Sequence, residues 1–186
     1  ERVQAISSGK RVLNLFAYTC AFGVVAGLGE AEHVVNVDAS KRALLWGQRN
    51  LELAGVPMER QRLIHDDVFD MLAKYRRQGH TFDLIVLDPP SYARTHRSRF
   101  SVHKDYPKML RAVLSLLDRQ GTLLACCNYE GKRLSVLKQE VHQVAKEAGL
   151  GAYTLRSLAP LPDFPTPRGK SPQLKVIELQ RQSGQR

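Results

Sequence analysis

At 186 residues the chain is long enough for one domain with a sizeable core, and its formal net charge of +10 makes an anionic macromolecule the expected class of partner. No apolar run approaches the ~18 residues of a membrane-crossing helix and no secretory leader opens the chain, so a cytoplasmic protein with no membrane partner is expected. Three cysteines, Cys20, Cys126 and Cys127, form neither an even framework for disulfides nor a zinc-ligand spacing, and no metal is expected.

Residues 11–16 are a short apolar run that reads as a buried strand, and it breaks at Tyr18-Thr19 into a turn before a helical pattern takes over. A second apolar run, His33-Val-Val-Asn-Val, ends on Asp38. Ser40 suits the cap of a helix through Ala54, with Gly55 ending it. Residues 61–65 predict a third strand that stops at Asp66-Asp67-Val68, followed by a helix from Phe69 to Gly79. Residues 82–88 are apolar on both faces, as a central parallel strand requires, and Pro89-Pro90 stops them. A polar, basic loop over 91–102 precedes a helix carrying Met109, Leu110, Val113, Leu114 and Leu117. Residues 121–128 predict the fifth strand, 132–148 a long helix, and 152–157 and 174–179 two last strands, with a stiff proline-rich loop at 160–167. Strands and helices alternate as far as the fifth strand, which calls for a parallel sheet covered on both faces. The last two strands lack a helix between them, so one is expected to run antiparallel at the end of the sheet. The predicted fold is α/β and Rossmann-like, with a seven-stranded, mostly parallel sheet and helices on both faces.

The first strand, turn, helix and second strand make one βαβ unit. Its crevice lies at the carboxyl ends of the strands, where Asp38 can bind the two hydroxyls of a ribose. A dinucleotide site needs G-x-G-x-x-G to close backbone around a pyrophosphate, whereas this turn reads Tyr18-Thr-Cys-Ala-Phe-Gly23 with a single glycine. S-Adenosylmethionine (SAM) carries ribose, adenine and a carboxylate but no phosphate, and a turn offering backbone N–H groups, Thr19 and aromatic walls suits it. The rival reading is an ordinary buried βαβ unit with Asp38 as a turn or cap residue.

Other features fall at strand ends facing the same crevice. Asp67 can accept from an adenine amino group while Val68 offers its N–H to a ring nitrogen; Asp67 can equally cap the following helix. Pro89 and Pro90 hold Asp88 extended and fix the carbonyls at the strand end, which suits a planar base with Tyr92 stacked on its face, or a plain strand-ending turn. From Tyr92 to Arg111, the bases Arg94, Arg97, Arg99, Lys104, Lys108 and Arg111 stand against Asp105 alone, with Tyr92, Phe100 and Tyr106 interleaved. A phosphate backbone and a splayed-out base would find charge and stacking there, and a solvated basic loop would look the same. Methylation at cytosine C5 requires a cysteine thiolate to add to C6 first, whereas a ring nitrogen needs only its lone pair aimed at the sulfonium methyl. Cys126 and Cys127 point to opposite faces of their strand and read as nucleophile or as buried filler, while Cys20 reads as a wall of the cofactor site.

The stretches Val12-Leu-Asn-Leu-Phe-Ala-Tyr-Thr-Cys-Ala-Phe22, Val35-Asn-Val-Asp-Ala-Ser40, Asp66-Asp-Val-Phe69, Phe82-Asp-Leu-Ile-Val-Leu-Asp-Pro-Pro-Ser91 and Lys104-Asp-Tyr106 resemble the class I SAM-dependent methyltransferases that modify 23S ribosomal RNA. The resemblance covers about residues 10–180. It implies SAM as cofactor and ribosomal RNA as partner. It further implies that Asn14, Phe16, Tyr18, Thr19 and Phe22, with Gly23, line the methionine side of SAM and that Asp38, with Ala39, takes the ribose. By the same likeness Ser40 and Asn50 support the site, Asp67 and Val68 take the adenine, and Asp88, Pro89 and Pro90 border the transfer site. The family's first turn often carries Gly-Gly where this chain has Cys20-Ala21.

Two subgroups share this body. In the 5-methylcytosine enzymes the strand equivalent to 122–128 ends in a catalytic cysteine, which alignment on Gly121 places at Asn128; in the 7-methylguanine enzyme that position is asparagine, in a stretch similar to Cys127-Asn128-Tyr-Glu-Gly131. The expectation leans to methylation of guanine N7 without a covalent intermediate, with Asp88, Pro89, Pro90, Tyr92 and Asn128 at the transfer site. A cytosine-C5 enzyme using Cys127 and a non-catalytic basic RNA-binding module are the alternatives. Because the chain opens on Glu1 and many members carry an N-terminal RNA-binding domain, residues 1–186 are expected to be the catalytic, C-terminal part of a longer protein. Pairing with a second copy is left open.

Overall fold

The computed structural model describes residues 1–94, 99–159 and 173–182. The expected proline-rich loop at 160–167, Arg97 and the side chains of Arg94 and Arg99 lie outside the described residues. A short helix α1 (Arg2–Ala5) leads into β1 (Arg11–Leu15), α2 (Ala21–Leu28), β2 (His33–Asp38), α3 (Lys41–Leu53), β3 (Gln61–His65), α4 (Val68–Arg77) and β4 (Phe82–Leu87). Then come β5 (Tyr92–Arg94), β6 (Arg99–Ser101), α5 (Val102–Leu114), β7 (Leu117–Cys127), α6 (Leu134–Glu147), β8 (Tyr153–Leu158) and β9 (Lys175–Arg181).

Seven strands form one sheet in the order β3-β2-β1-β4-β7-β9-β8. Every pairing from β3 to β7 is parallel, and β9 is antiparallel to both of its neighbours. The expected antiparallel strand is therefore present, but it sits one place in from the edge. β9 runs antiparallel between β7 and the edge strand β8.

Strand alternation divides the core. Leu13 and Leu15 of β1, Ile85 and Leu87 of β4 and Leu123, Ala125 and Cys127 of β7 pack under α4, α5 and α6. Val12, Leu84, Val86 and Leu124 face the other way, against Val3 of α1 and Ala26 of α2, while a smaller cluster under α3 joins Cys20, Leu44, Leu51 and Val56. Helix starts follow the expected caps: Ser40 Oγ accepts from Ala43 N at 3.2 Å, and Asp67 Oδ1 from Phe69 N at 2.8 Å.

Three departures from expectation have physical causes. The basic loop after Ser91 contains a hairpin, with Ala93 opposite Phe100, because Phe100 is apolar and anchors β6 into the core at 2% exposure. Leu117 belongs to β7 rather than to the preceding helix, and the strand reaches back past Gly121 across a register shift opposite Phe82–Leu84. Among the described residues no helix is long and apolar enough to cross a membrane.

The third departure is α1, which is held by charge. Glu178 of β9 is buried and accepts from Arg2 Nε at 2.7 Å and Nη2 at 2.8 Å, and from Arg156 Nε at 3.0 Å. Burial alone would raise the Glu178 carboxyl; hydrogen bonds from Arg2 and Arg156 outweigh it and hold the group below its usual range. A carboxylate lowered in the folded state contributes stability that is present above its unfolded value and lost as the pH falls through the lowered value. Arg2 and Arg156 keep 37% and 55% of their side-chain surface in water, which screens the pair. Glu178→Gln is therefore expected to cost about 2 kcal/mol at neutral pH. That difference should shrink in strong acid, where the parent loses the same charge; thermal unfolding of both proteins at the two conditions checks it.

Candidate active site

The loop between β1 and α2 is unusual in its backbone. Phe16, Tyr18 and Cys20 all adopt left-handed φ values, 59°, 47° and 59°. Bulky residues seldom occupy this region, since each costs on the order of 1–3 kcal/mol and persists only where its surroundings impose it. Here they do. Ala17 N donates to Val37 O at 3.0 Å, Cys20 N to Ala17 O at 2.7 Å, and Asn50 Nδ2 reaches from α3 to Thr19 O at 3.0 Å. The strongest tie is Asp38 at the end of β2, whose Oδ2 accepts from Tyr18 N and whose Oδ1 accepts from Ser40 N, both at 2.8 Å.

At the carboxyl end of the sheet these elements enclose a cleft of about 380 Å³. Phe16 and Tyr18 enter from the first loop, Asp38 and Ala39 from the end of β2, and Asp67, Val68 and Phe69 from the start of α4. Asp88 and Pro90 follow β4, Asn128 follows β7, and Ala93 and Phe100 come from the hairpin. Asp38 and Asp88 thus open onto one hollow, as the strand-end argument requires. The Phe100 ring stands 6.0 Å from Phe16 and 6.0 Å from Phe69, which gives one side of the cleft an apolar aromatic wall. Burial pushes the Asp88 carboxyl above its usual range, and no hydrogen bond reaches it from the described residues. Ser91 Oγ donates to Asn128 Oδ1 at 3.1 Å, joining the turn after β4 to the end of β7. The buried ammonium of Lys175 donates to Tyr129 O at 2.9 Å and pins the stretch that follows.

Several expected site residues stand one step behind the cleft. Asn14 is fully buried in mid-strand, where its Nδ2 donates to Asn36 Oδ1 at 2.9 Å, and Asn36 Nδ2 in turn donates to Gln61 Oε1 at 3.1 Å. This ladder of amides runs across three strands under α2. A Cβ on Gly23 would lie 2.3 Å from Asn36 Oδ1, so close approach of the helix explains that glycine. Phe22 packs towards α1 and the second core cluster. Thr19, Ser40 and Asn50 brace the first loop and the start of α3 rather than lining the hollow, and Pro89 and Tyr92 do not line it either, Pro89 being buried and Tyr92 exposed.

Three expectations need correction. Cys20 is not a wall of the cleft: it is fully buried against α3, with a thiol pushed up to about 12 by burial and then by the Asp38 carboxylate. Phe100 and Tyr106 are not open stacking surfaces, since both are buried and Tyr106 spends its hydroxyl on Cys126 O at 2.7 Å. Arg111 points away to Glu147 at 2.7 Å, whereas Lys108 stays exposed beside the cleft, 5.8 Å over the Phe69 ring. Phe69, Ala93 and Phe100 were absent from the sequence reading of the lining. Phe69 left a signal as the residue next to Asp67-Val68, and Phe100 as a ring among the basic residues after Ser91, whereas Ala93 left none.

Comparison with known proteins agrees with this geometry. Residues 1–175 match a family described as S-adenosylmethionine-dependent methyltransferase. Ribosomal RNA large subunit methyltransferase I of Aeromonas salmonicida is 36% identical over 165 residues, which cover 89% of this chain and 42% of that protein. Ribosomal RNA large subunit methyltransferase K of Neisseria meningitidis serogroup B is 36% identical over 146 residues, covering 77% and 41%. The crystal structure of SMU.776, described as a methyltransferase and complexed with SAH, superposes with a TM-score of 0.84 at 34% identity, covering 96% of this chain and 47% of that one. The chain spans less than half the length of the curated relatives it matches.

Proposed function

The chain belongs to the S-adenosylmethionine-dependent methyltransferase family, and from that premise we propose that it methylates a base of 23S ribosomal RNA, at guanine N7, with no covalent enzyme–base intermediate. The cleft suits the cofactor. Each Asp38 oxygen already accepts one backbone N–H and keeps a lone pair for a ribose hydroxyl. Phe16, Val68 and Phe69 offer apolar surface to an adenine, and Asp67 stands beside them while capping α4. Asn14, Thr19, Phe22, Gly23, Ser40 and Asn50 serve by holding the first loop and α2 in place.

Bound there, S-adenosylmethionine supplies a sulfonium methyl that is already electrophilic, so the protein's task is to hold a lone pair in line with it. Asp88 and Pro90, held in place by the buried Pro89 between them, present fixed acceptors to the amino and ring N–H groups of a base, Tyr92, exposed beside the hollow, offers it a face, and Asn128, steadied by Ser91, orients it. The observation that carries the choice of chemistry is that Asn128, and no thiol, lines the hollow. Addition to cytosine C6 needs a thiolate at the base. Cys127 is fully buried in the core under α4 to α6, and burial, followed by the charge of Asp88, pushes the Cys126 thiol well above its ordinary value.

Cys127→Ala is expected to leave methyl transfer to under-methylated 23S rRNA within about threefold of the parent, since no transition-state contact is removed. Mass spectrometry of the digested RNA should then find 7-methylguanosine. Appearance of 5-methylcytidine, abolished by the same substitution, would overturn the assignment.

A further inference from the structure

Helix α3 has two apolar faces where a surface helix ordinarily has one. Ala43, Leu44, Gly47 and Leu51 are buried against the sheet and the first loop. On the opposite side Arg42, Leu45, Trp46, Arg49 and Leu53 recur at i, i+3, i+4, i+7 and i+11, a single stripe of the helix. Leu45, Trp46 and Leu53 are 54%, 55% and 86% exposed. Glu52 is the one acid of the helix, and its carboxylate already accepts from Gln48 at 2.9 Å. The stripe is thus apolar and cationic together.

Its position gives it a role. The helix starts at Lys41, separated by Ser40 alone from Asp38 and Ala39 of the cleft rim, and Trp46 lies about 8 Å further along the axis. A macromolecule that inserts one base into the cleft must carry its neighbouring nucleotides across the rim. We propose that the outer face of α3 is a docking platform for single-stranded RNA flanking the methylated nucleotide, with a base stacked on Trp46 and phosphates on Arg42 and Arg49. The inference rests on the RNA substrate proposed above. A second copy of the chain fits this face less well. A helix of this length buries far less than the roughly 800 Å² per partner of a stable dimer, and self-pairing would set Arg42 and Arg49 against their own kind.

Trp46 is the only tryptophan in the chain, so its fluorescence reports this face alone. Titration with poly(U) should quench the emission, and added salt should reverse the effect, as stacking and counterion release require. Trp46→Ala should weaken binding of a 23S rRNA transcript about tenfold, and Trp46→Phe should restore most of it, because one stacked base is lost and then largely replaced. The affinity for SAM by calorimetry should match the parent in both variants. Filter binding that detects RNA while the emission stays constant and Trp46→Ala binds like the parent overturns the platform and leaves the rRNA reading standing. Loss of a dimer in Trp46→Ala, with RNA affinity unchanged, assigns the face to a second copy and also overturns it. Absence of any RNA binding, with SAM still bound, removes both proposals at once.

Discussion

Replacing Asp38 with alanine should raise the dissociation constant for S-adenosylmethionine about a hundredfold or more while the protein stays folded. The carboxylate makes two charge-assisted bonds, to Tyr18 N and Ser40 N, each 2.8 Å long. Such bonds are worth about 1.5–3 kcal/mol apiece. The first of them holds Tyr18 at φ 47°, between Phe16 and Cys20 at 59°. Without the acceptor the backbone is free to leave the left-handed region, and the Phe16 wall of the cleft goes with it. On the proposed mode of binding the ribose hydroxyls lose their partner in the same stroke, so the expected effect exceeds one hydrogen bond. Global stability should fall much less, because relief of backbone strain offsets part of the loss and Asp38 lies at the rim rather than in the core. Asp38→Asn makes the sharper comparison. Its amide must point Nδ2 at one of the two N–H donors, so it should bind nearly as weakly as alanine despite equal size. Calorimetry for the cofactor and thermal unfolding for the fold separate the two effects; an alanine variant with parental affinity would remove the cofactor from this cleft.

The parts of the site that could be read from the chain are those fixed by strand ends. Asp38, Asp67, Asp88 and Asn128 each follow an apolar run, and a parallel sheet brings successive carboxyl ends to one side whatever the details of packing. The same rule explains why Asn14 stays out of the hollow. It sits in mid-strand, one layer below the rim, and alternation turns it towards α2 and Asn36. The pairing of Phe100 with Ala93 was hidden for a different reason: β5 and β6 have three residues each, too few for a periodic signal, and basic residues separate them. Their place in the cleft is set by long-range contact of Phe100 with Phe16 and Phe69. Helix α1 leaves even less trace, since Arg2 finds Glu178 at the far end of the sequence. The antiparallel strand was legible from the missing crossover helix. Its place between β7 and β8 depends on which edge hydrogen bonds win, and no local pattern encodes that.

Gly47→Ala should destabilise the protein by about 3 kcal/mol and weaken SAM binding with it, although Gly47 does not line the cleft. A Cβ there would lie 2.4 Å from Cys20 Sγ and 3.0 Å from Cys20 Cβ. Cys20 cannot retreat, for its N–H is bound to Ala17 O and its left-handed backbone fixes the direction of the side chain. Strain must therefore pass into the first loop, where Tyr18 and Phe16 meet the cleft. The family resemblance leads one to expect glycines at this turn, and Cys20 with Gly47 reads as the same volume placed on the other partner. Cys20→Gly alone should be close to neutral, since it frees a strained backbone worth about 1 kcal/mol but empties a buried space. Combining the two puts a methyl where the thiol was, and the double variant should recover about 2 kcal/mol relative to the sum of the singles. Urea unfolding of the four proteins measures that coupling. Strict additivity would place the clash elsewhere, on the Thr19 carbonyl carbon 3.2 Å from the same Cβ, and the loop would then be sensitive to Gly47 through its backbone rather than through the thiol.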